Sequence, residues 1–163
     1  MSEAIAEPLL LQGPPGFGAP LEGEALVADD AFSPRYDLDR ATGEISRKGH
    51  PACGESIARR ILVVTTSKGG VAAGWAFYDL AQRGLAPKAL ICRTTNPVFV
   101  QGCVLAGIAI LHRLEPDPIE SLETGDWLAL EPRLGRVRLL RRRAAIKTDL
   151  MGKQIPEPRE DLP

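Results

Sequence analysis

The chain has 163 residues, 44% hydrophobic and 25% charged, with a formal net charge of -1 at pH 7. That length and balance fit one soluble domain with a single core, and a charge so close to zero argues against a dedicated nucleic-acid binder. No apolar run approaches the ~20 residues of a membrane span, and residues 9–11 are too short, and lack the basic start, for a secretory leader. The expected address is therefore the cytoplasm, with no membrane partner. Cys53, Cys92 and Cys103 are odd in number, widely spaced and without a C-x-x-C pair, which points away from a disulfide framework and from a metal site carried by this chain alone.

In chain order, residues 1–21 hold Pro8, Gly13, Pro14, Pro15, Gly16, Gly18 and Pro20, a composition that opposes helix and strand and predicts a flexible arm. The ordered domain is expected over 22–143. A short strand is predicted at 24–28, followed by a polar, turn-rich loop over 32–48, in which Asp39, Thr42 and Gly43 fit an Asx-type turn. A buried strand at 57–64 leads to a helix at 70–83, with Ala73, Ala76, Phe77 and Leu80 on one face and Gly84 as its stop. A second buried strand at 89–92, a loop with a short helix over 96–107 and a third strand at 108–111 complete an alternation that predicts right-handed βαβ units. Residues 127–131 and 137–140 then read as a hairpin at the sheet edge, broken by Pro132 and Gly135. Seven Lys/Arg lie between 133 and 147, with no aromatic among them to stack on bases, so a solvated strand face or a protein contact explains them better than nucleic acid. Residues 144–163 hold too few apolar side chains to fold alone and read as a tail.

The segment ILVVTTSKGGVAAGWA, residues 61–76, joins the buried strand to the helix through Ser67, Lys68, Gly69 and Gly70. Such a turn aims backbone N–H groups and a cation at one spot ahead of a helix N-terminus, which suits an anion. Lys68 at that position opposes the helix dipole and calls for a compensating negative charge. The run Lys68-Gly69-Gly70-Val71 also matches the start of a deviant Walker A loop. The continuation Ala72-Ala73-Gly74 lacks the second lysine and the hydroxyl that phosphate and magnesium require. Tight packing of strand on helix is the bland explanation of the glycines. Arg93, Thr94 and Asn96 follow the second buried strand at its C-terminal end, where open α/β sheets place ligands; they face either the anion held by Lys68 or solvent. His50, before Pro51, is either a hydrogen-bonding strut or a substrate contact.

The ordered series Asp39-x-x-Thr42-Gly43-x-Ile45, His50-Pro51, Gly54-x-Ser56, the strand and glycine turn, Gly84-x-Ala86-Pro87-x-Ala89 and Gly102 resembles the small subunit, or swivel domain, of aconitase X over residues 22–140. The resemblance implies an α/β class fold, a swivelling β/β/α domain with a mixed sheet or barrel and flanking helices. It also implies a heterodimer with a large subunit that holds an iron–sulfur cluster and most substrate contacts. Known members are hydro-lyases, acting as phosphomevalonate dehydratases in archaea and cis-3-hydroxy-L-proline dehydratases in some bacteria. In the family the turn usually reads Arg/Lys-Gly-Ser-Ser, its first serine being the base; here Gly70 stands at that serine. Three roles stay open: Ser67 replaces the hydroxyl, Lys68 is itself the base, or this chain only binds and orients a small carboxylate. The expected catalytic residues are Ser67 and Lys68, and the expected substrate contacts are Gly69, Gly70, Arg93, Thr94, Asn96 and His50. The alternative is a non-catalytic anion-binding or regulatory subunit of the same fold.

Overall fold

The computed structural model describes residues 7–144; of the expected tail, all but Ala144 lies outside the described residues. Four strands carry the parallel half of the sheet: β2 (Leu21–Ala28), β5 (Ile61–Thr66), β6 (Ala89–Thr94) and β7 (Ala109–His112). Their residues alternate between two layers, as a pleated strand requires. Ala25, Ile61, Val63, Ala89, Ile91, Ala109 and Leu111 share one apolar cluster with Leu128, Leu130 and Val137 of the antiparallel half. Leu26, Ala28, Leu62, Val64, Leu90, Cys92 and Ile110 form the other with Ala73, Phe77, Leu80 and Phe99 of the helices. Continuous apolar runs such as residues 61–64 follow directly, because both faces of those strands are covered.

The antiparallel half comprises β1 (Leu10–Gln12), β8 (Trp127–Glu131) and β9 (Arg136–Arg141), and the order is β1-β9-β8-β2-β5-β6-β7. Strand β2 serves both halves, pairing antiparallel with β8 through residues 21–24 and parallel with β5 through residues 25–28. The sheet then closes on itself. Gln12 exchanges backbone bonds with Glu115, and Phe17 does so with Ile110, which ties the β1 end to the β7 end. A separate two-stranded hairpin, β3 (Leu38–Asp39) with β4 (Glu44–Ile45), sits on the predicted Asx turn: Asp39 Oδ1 accepts the Ala41 N–H at 2.8 Å, and Gly43 adopts φ +78°.

Two sequence expectations need revision. The segment expected to be an arm is part of the domain over residues 10–20: Leu11 is fully buried, β1 pairs with β9, and Gly13 and Gly16 donate to Gly135 and Pro132. Its glycines serve close approach, since a Cβ on Gly13 would lie 2.8 Å from the Arg113 carbonyl and one on Gly16 would overlap that of Ile110. The β8–β9 hairpin forms as expected but is interior, flanked by β2 and β1. Only β1 could have revealed this, and its three residues are too few for a periodic signal.

Helices α1 (Val71–Gln82) and α2 (Pro97–Ala106) cover one face, and a short α3 (Pro118–Ser121) follows β7. Asn96 caps α2, its Oδ1 accepting the Phe99 N–H at 2.9 Å, with Pro97 in the first turn and Gly107 left-handed at the C-terminus. The two helices cross at Gly74 and Gly102, where a Cβ on Gly74 would stand 2.9 Å from the Gly102 Cα. Phe77 meets Phe99 edge-on at 5.3 Å beneath the crossing, while Trp75, Tyr78, Val98 and Leu105 border an outer groove of about 530 Å³.

Candidate active site at the C-terminal strand edge

The parallel strands end together, and the residues just beyond them build the site. Beyond β5, the chain continues through Ser67 alongside residue 32, with Phe32 donating to the Thr66 carbonyl at 3.0 Å and Lys68 donating to the Phe32 carbonyl at 2.8 Å. The next turn needs glycine: Gly69 has φ +116°, and a Cβ there would also press on Ala73 at 2.9 Å. Gly70 differs, with φ -120° and surroundings in which an added Cβ would meet nothing within 4 Å. It stands at the N-cap of α1 with no side-chain cap; the Ala73 N–H folds back to the Gly70 carbonyl at 3.1 Å, while those of Val71 and Ala72 have no acceptor among the described residues.

Hydroxyls from β5 and β6 meet at this edge. Ser67 Oγ lies 2.8 Å from Thr95 Oγ1, and Thr94 Oγ1 lies 3.1 Å from Thr66 Oγ1. Ser67 is 8% exposed, buried yet next to the turn. The structure therefore keeps Ser67, Lys68, Gly69 and Gly70 together at the turn and joins Thr95 to Ser67, whereas Thr94 pairs with Thr66. Asn96 is adjacent, but its carbonyl oxygen is committed to the α2 cap. Arg93 is engaged elsewhere: its Nε binds Asp117 at 2.7 Å and its guanidinium lies 3.7 Å from Asp29.

Lys68 finds the negative charge its position calls for. Its Nζ is 3.3 Å from Oδ2 of Asp37, a fully buried carboxylate that also accepts from Arg47 Nε at 2.6 Å and from the Ser33 N–H at 2.8 Å. Arg47 turns its other arm to Asp30 at 2.6 Å, and this hydrogen bond holds the Asp30 carboxyl below its usual range. His50 packs against the same cluster and is 4% exposed. Its Nδ1 accepts the Ala52 N–H at 3.1 Å, which leaves the proton of the neutral ring on Nε2, a buried donor with no partner among the described residues. Burial, then the nearby Arg47 charge, lowers the His50 pKa against the pull of Asp30 and Asp37. His50 is thus enclosed beside the charged cluster rather than open to a ligand.

The chain's own thiols do not suit an iron–sulfur cluster, which needs thiolates. Cys92 and Cys103 lie in the helix-side core, where burial pushes both thiols up, Cys103 to about 12, and Cys53 stands apart and exposed. Among the described residues no three His, Cys, Asp or Glu side chains converge as a metal-binding set. No helix among them is long and apolar enough to cross a membrane.

The sequence profile described as the aconitase X swivel domain matches residues 11–139. This chain belongs to that family. The phosphomevalonate dehydratase small subunit of Methanopyrus kandleri is 37% identical over 113 residues, 69% of this chain and 84% of that one. The protein of the same name from Methanocella arvoryzae is 31% identical over 122 residues, 75% of this chain and 92% of its own. The crystal structure of Thermococcus kodakaraensis aconitase X in its holo-form is similar at a TM-score of 0.76 and 26% identity, covering 82% of this chain and 99% of that chain. The swivelling fold expected from sequence is the fold observed.

Within this swivel domain the sequence reading passed over Asp37 and Thr95. Thr95 lies inside the Arg93-to-Pro97 string already singled out, and the register Thr66 with Thr94 predicts that the next pair of residues also faces across the strands. Asp37 sits in the long polar loop, and its one sequence signal was indirect: a lysine before a helix N-terminus needs a carboxylate.

Proposed function

We propose that this chain is the small swivel subunit of a hydro-lyase, dehydrating a small hydroxylated carboxylate at its interface with an iron–sulfur large subunit. The observation that carries the reading is the Ser67–Gly70 turn: in a member of this family, a hydroxyl, a cation and open helix amides stand together where parallel strands end. Lys68 and the amides following Gly69 are suited to a carboxylate and the charge that develops on it during proton removal. Ser67, held by Thr95 at 2.8 Å, is the hydroxyl of this chain assigned to proton transfer. The cluster is assigned to the partner, because among the described residues this chain has no thiolate set to hold it. The relatives' name makes a phosphorylated hydroxy acid, phosphomevalonate, the first substrate to try.

The test is co-expression with the large subunit, followed by assay of the purified complex on a panel of hydroxy acids that includes phosphomevalonate and cis-3-hydroxy-L-proline. Dehydration of one of them is expected. Ser67→Ala should then lower kcat by about 10²- to 10⁴-fold, the range for a lost proton-transfer group, and full turnover would remove Ser67 from the mechanism. Lys68→Met should act chiefly on KM. The empty space at Gly70 favours one second reading, a non-catalytic anion-binding subunit; a stable complex that dehydrates nothing on the panel would establish it over the first.

A further inference from the structure

Lys68 is held loosely and Asp37 tightly. The Lys68 side chain is 42% exposed and approaches the two Asp37 oxygens at 3.3 and 3.5 Å, whereas Arg47 and the Ser33 amide bind the same carboxylate at 2.6 and 2.8 Å. If Lys68 moves away, Asp37 keeps a guanidinium and a backbone donor, so its buried charge stays satisfied. The four charges involved, Asp30, Asp37, Arg47 and Lys68, also balance to zero, so no net positive charge stands at the turn while Lys68 remains with Asp37.

From this we infer that Asp37 is the resident counter-ion of Lys68, displaced by the incoming anion, and so sets how strongly the site holds a carboxylate or phosphate. The inference rests on the anion-site reading above and names a residue that tunes it. A fixed internal carboxylate competes with every ligand for one ammonium. It therefore weakens binding while keeping Lys68 at the mouth of the site. A purely structural role for Asp37 predicts the opposite sign: its loss would loosen the loop and weaken binding.

The experiment titrates the full-length chain with inorganic phosphate and with malonate at low ionic strength, reading the amides of Ser67, Lys68, Gly69 and Gly70 by NMR. Asp37→Asn keeps an oxygen for the Ser33 N–H and removes the charge, but gives up the Arg47 Nε bond, because its amide nitrogen then faces that donor. It is expected to bind about two- to fivefold tighter, the scale of one partly exposed ion pair that the anion no longer has to displace from Lys68. In Lys68→Met the gain should vanish, so that Lys68→Met and the double variant bind alike. Equal or weaker binding by a folded Asp37→Asn overturns the inference, as does a gain that persists without Lys68. A second measurement needs no variant: the Asp37 side-chain carboxyl carbon of the wild-type chain should shift as anion saturates, and an unmoved signal overturns the inference even where Asp37→Asn does not fold. A wild-type chain that binds neither anion refutes the anion site itself, and the inference with it.

Discussion

The α1–α2 crossing allows a quantitative test of how the turn is held. In Gly102→Ala the new methyl would be driven into the Cα of Gly74, and the nearest other atoms are backbone too, the Gly74 nitrogen at 3.3 Å and carbonyl carbon at 3.6 Å. No flexible side chain can yield, so the overpacking cost belongs near the upper end of the usual range, about 3 kcal/mol. Alanine regains roughly 1 kcal/mol over glycine inside a helix. The net loss is about 2 kcal/mol, which for a domain of this size lowers Tm by about 4 to 8 °C. Urea unfolding and thermal melts followed by circular dichroism measure both quantities. Gly70→Ala is the contrasting variant: an added Cβ there meets nothing within 4 Å, so it carries no overpacking cost. A Gly102→Ala chain as stable as wild type, or more stable, would show that the helices do not meet at these glycines. Because α1 begins directly after Gly70, forcing the helices apart also shifts the turn against Thr95, so anion affinity should fall with stability.

Gly70→Ser should stabilise the chain by a few tenths of a kcal/mol, the difference between serine and glycine at an N-cap, because its hydroxyl can accept a first-turn amide that now lacks a side-chain partner; a lowered Tm would mean that the space is not open. His50 makes stability acid-sensitive. Its folded pKa lies below the unfolded value, so above about pH 6.5 both states are neutral and the contribution is whole. As pH falls below that, the unfolded chain takes a proton that the folded chain refuses, because the ring is buried and stands beside Arg47. Stability is then lost at up to about 1.4 kcal/mol per pH unit until the folded pKa is reached. The urea midpoint measured from pH 7 to 5 should be flatter in His50→Gln than in wild type, and equal slopes would exclude His50 as the source.

What could be read from the sequence was what local physics decides. Residues 61–64 and 89–92 announce two-sided burial by being apolar without alternation, and the strands they predict are present. Gly84 and Gly107 stop their helices as left-handed caps, at φ +71° each, which is the use of glycine most visible in a sequence. Residues 10–20 misled because glycine has two uses with one composition. Gly13 and Gly16 are there for lack of volume, where the chain lies against residues 110–113. Composition registers only their conformational freedom. The partner they pack against lies about a hundred residues away, and no local pattern encodes it.

The site divides along the same line. Ser67, Lys68, Gly69 and Gly70 are contiguous, so their juxtaposition needed only the strand-to-helix turn to be right. Asp37 is thirty-one residues from Lys68 and is brought to it by a loop with little regular structure of its own. The electrostatic argument that a lysine at a helix N-terminus needs a carboxylate nevertheless has consequences for ligand binding, because the requirement is already met inside the fold. A site whose cation is already neutralised does not gain a full unit of charge attraction from an incoming anion. What it can gain is the exchange of a 3.3 Å contact for a shorter one, together with the open amides of α1 that Asp37 does not reach. An anion able to use both Lys68 and those amides is therefore favoured over one that can only replace Asp37. This geometric demand bears on ligand shape as well as charge.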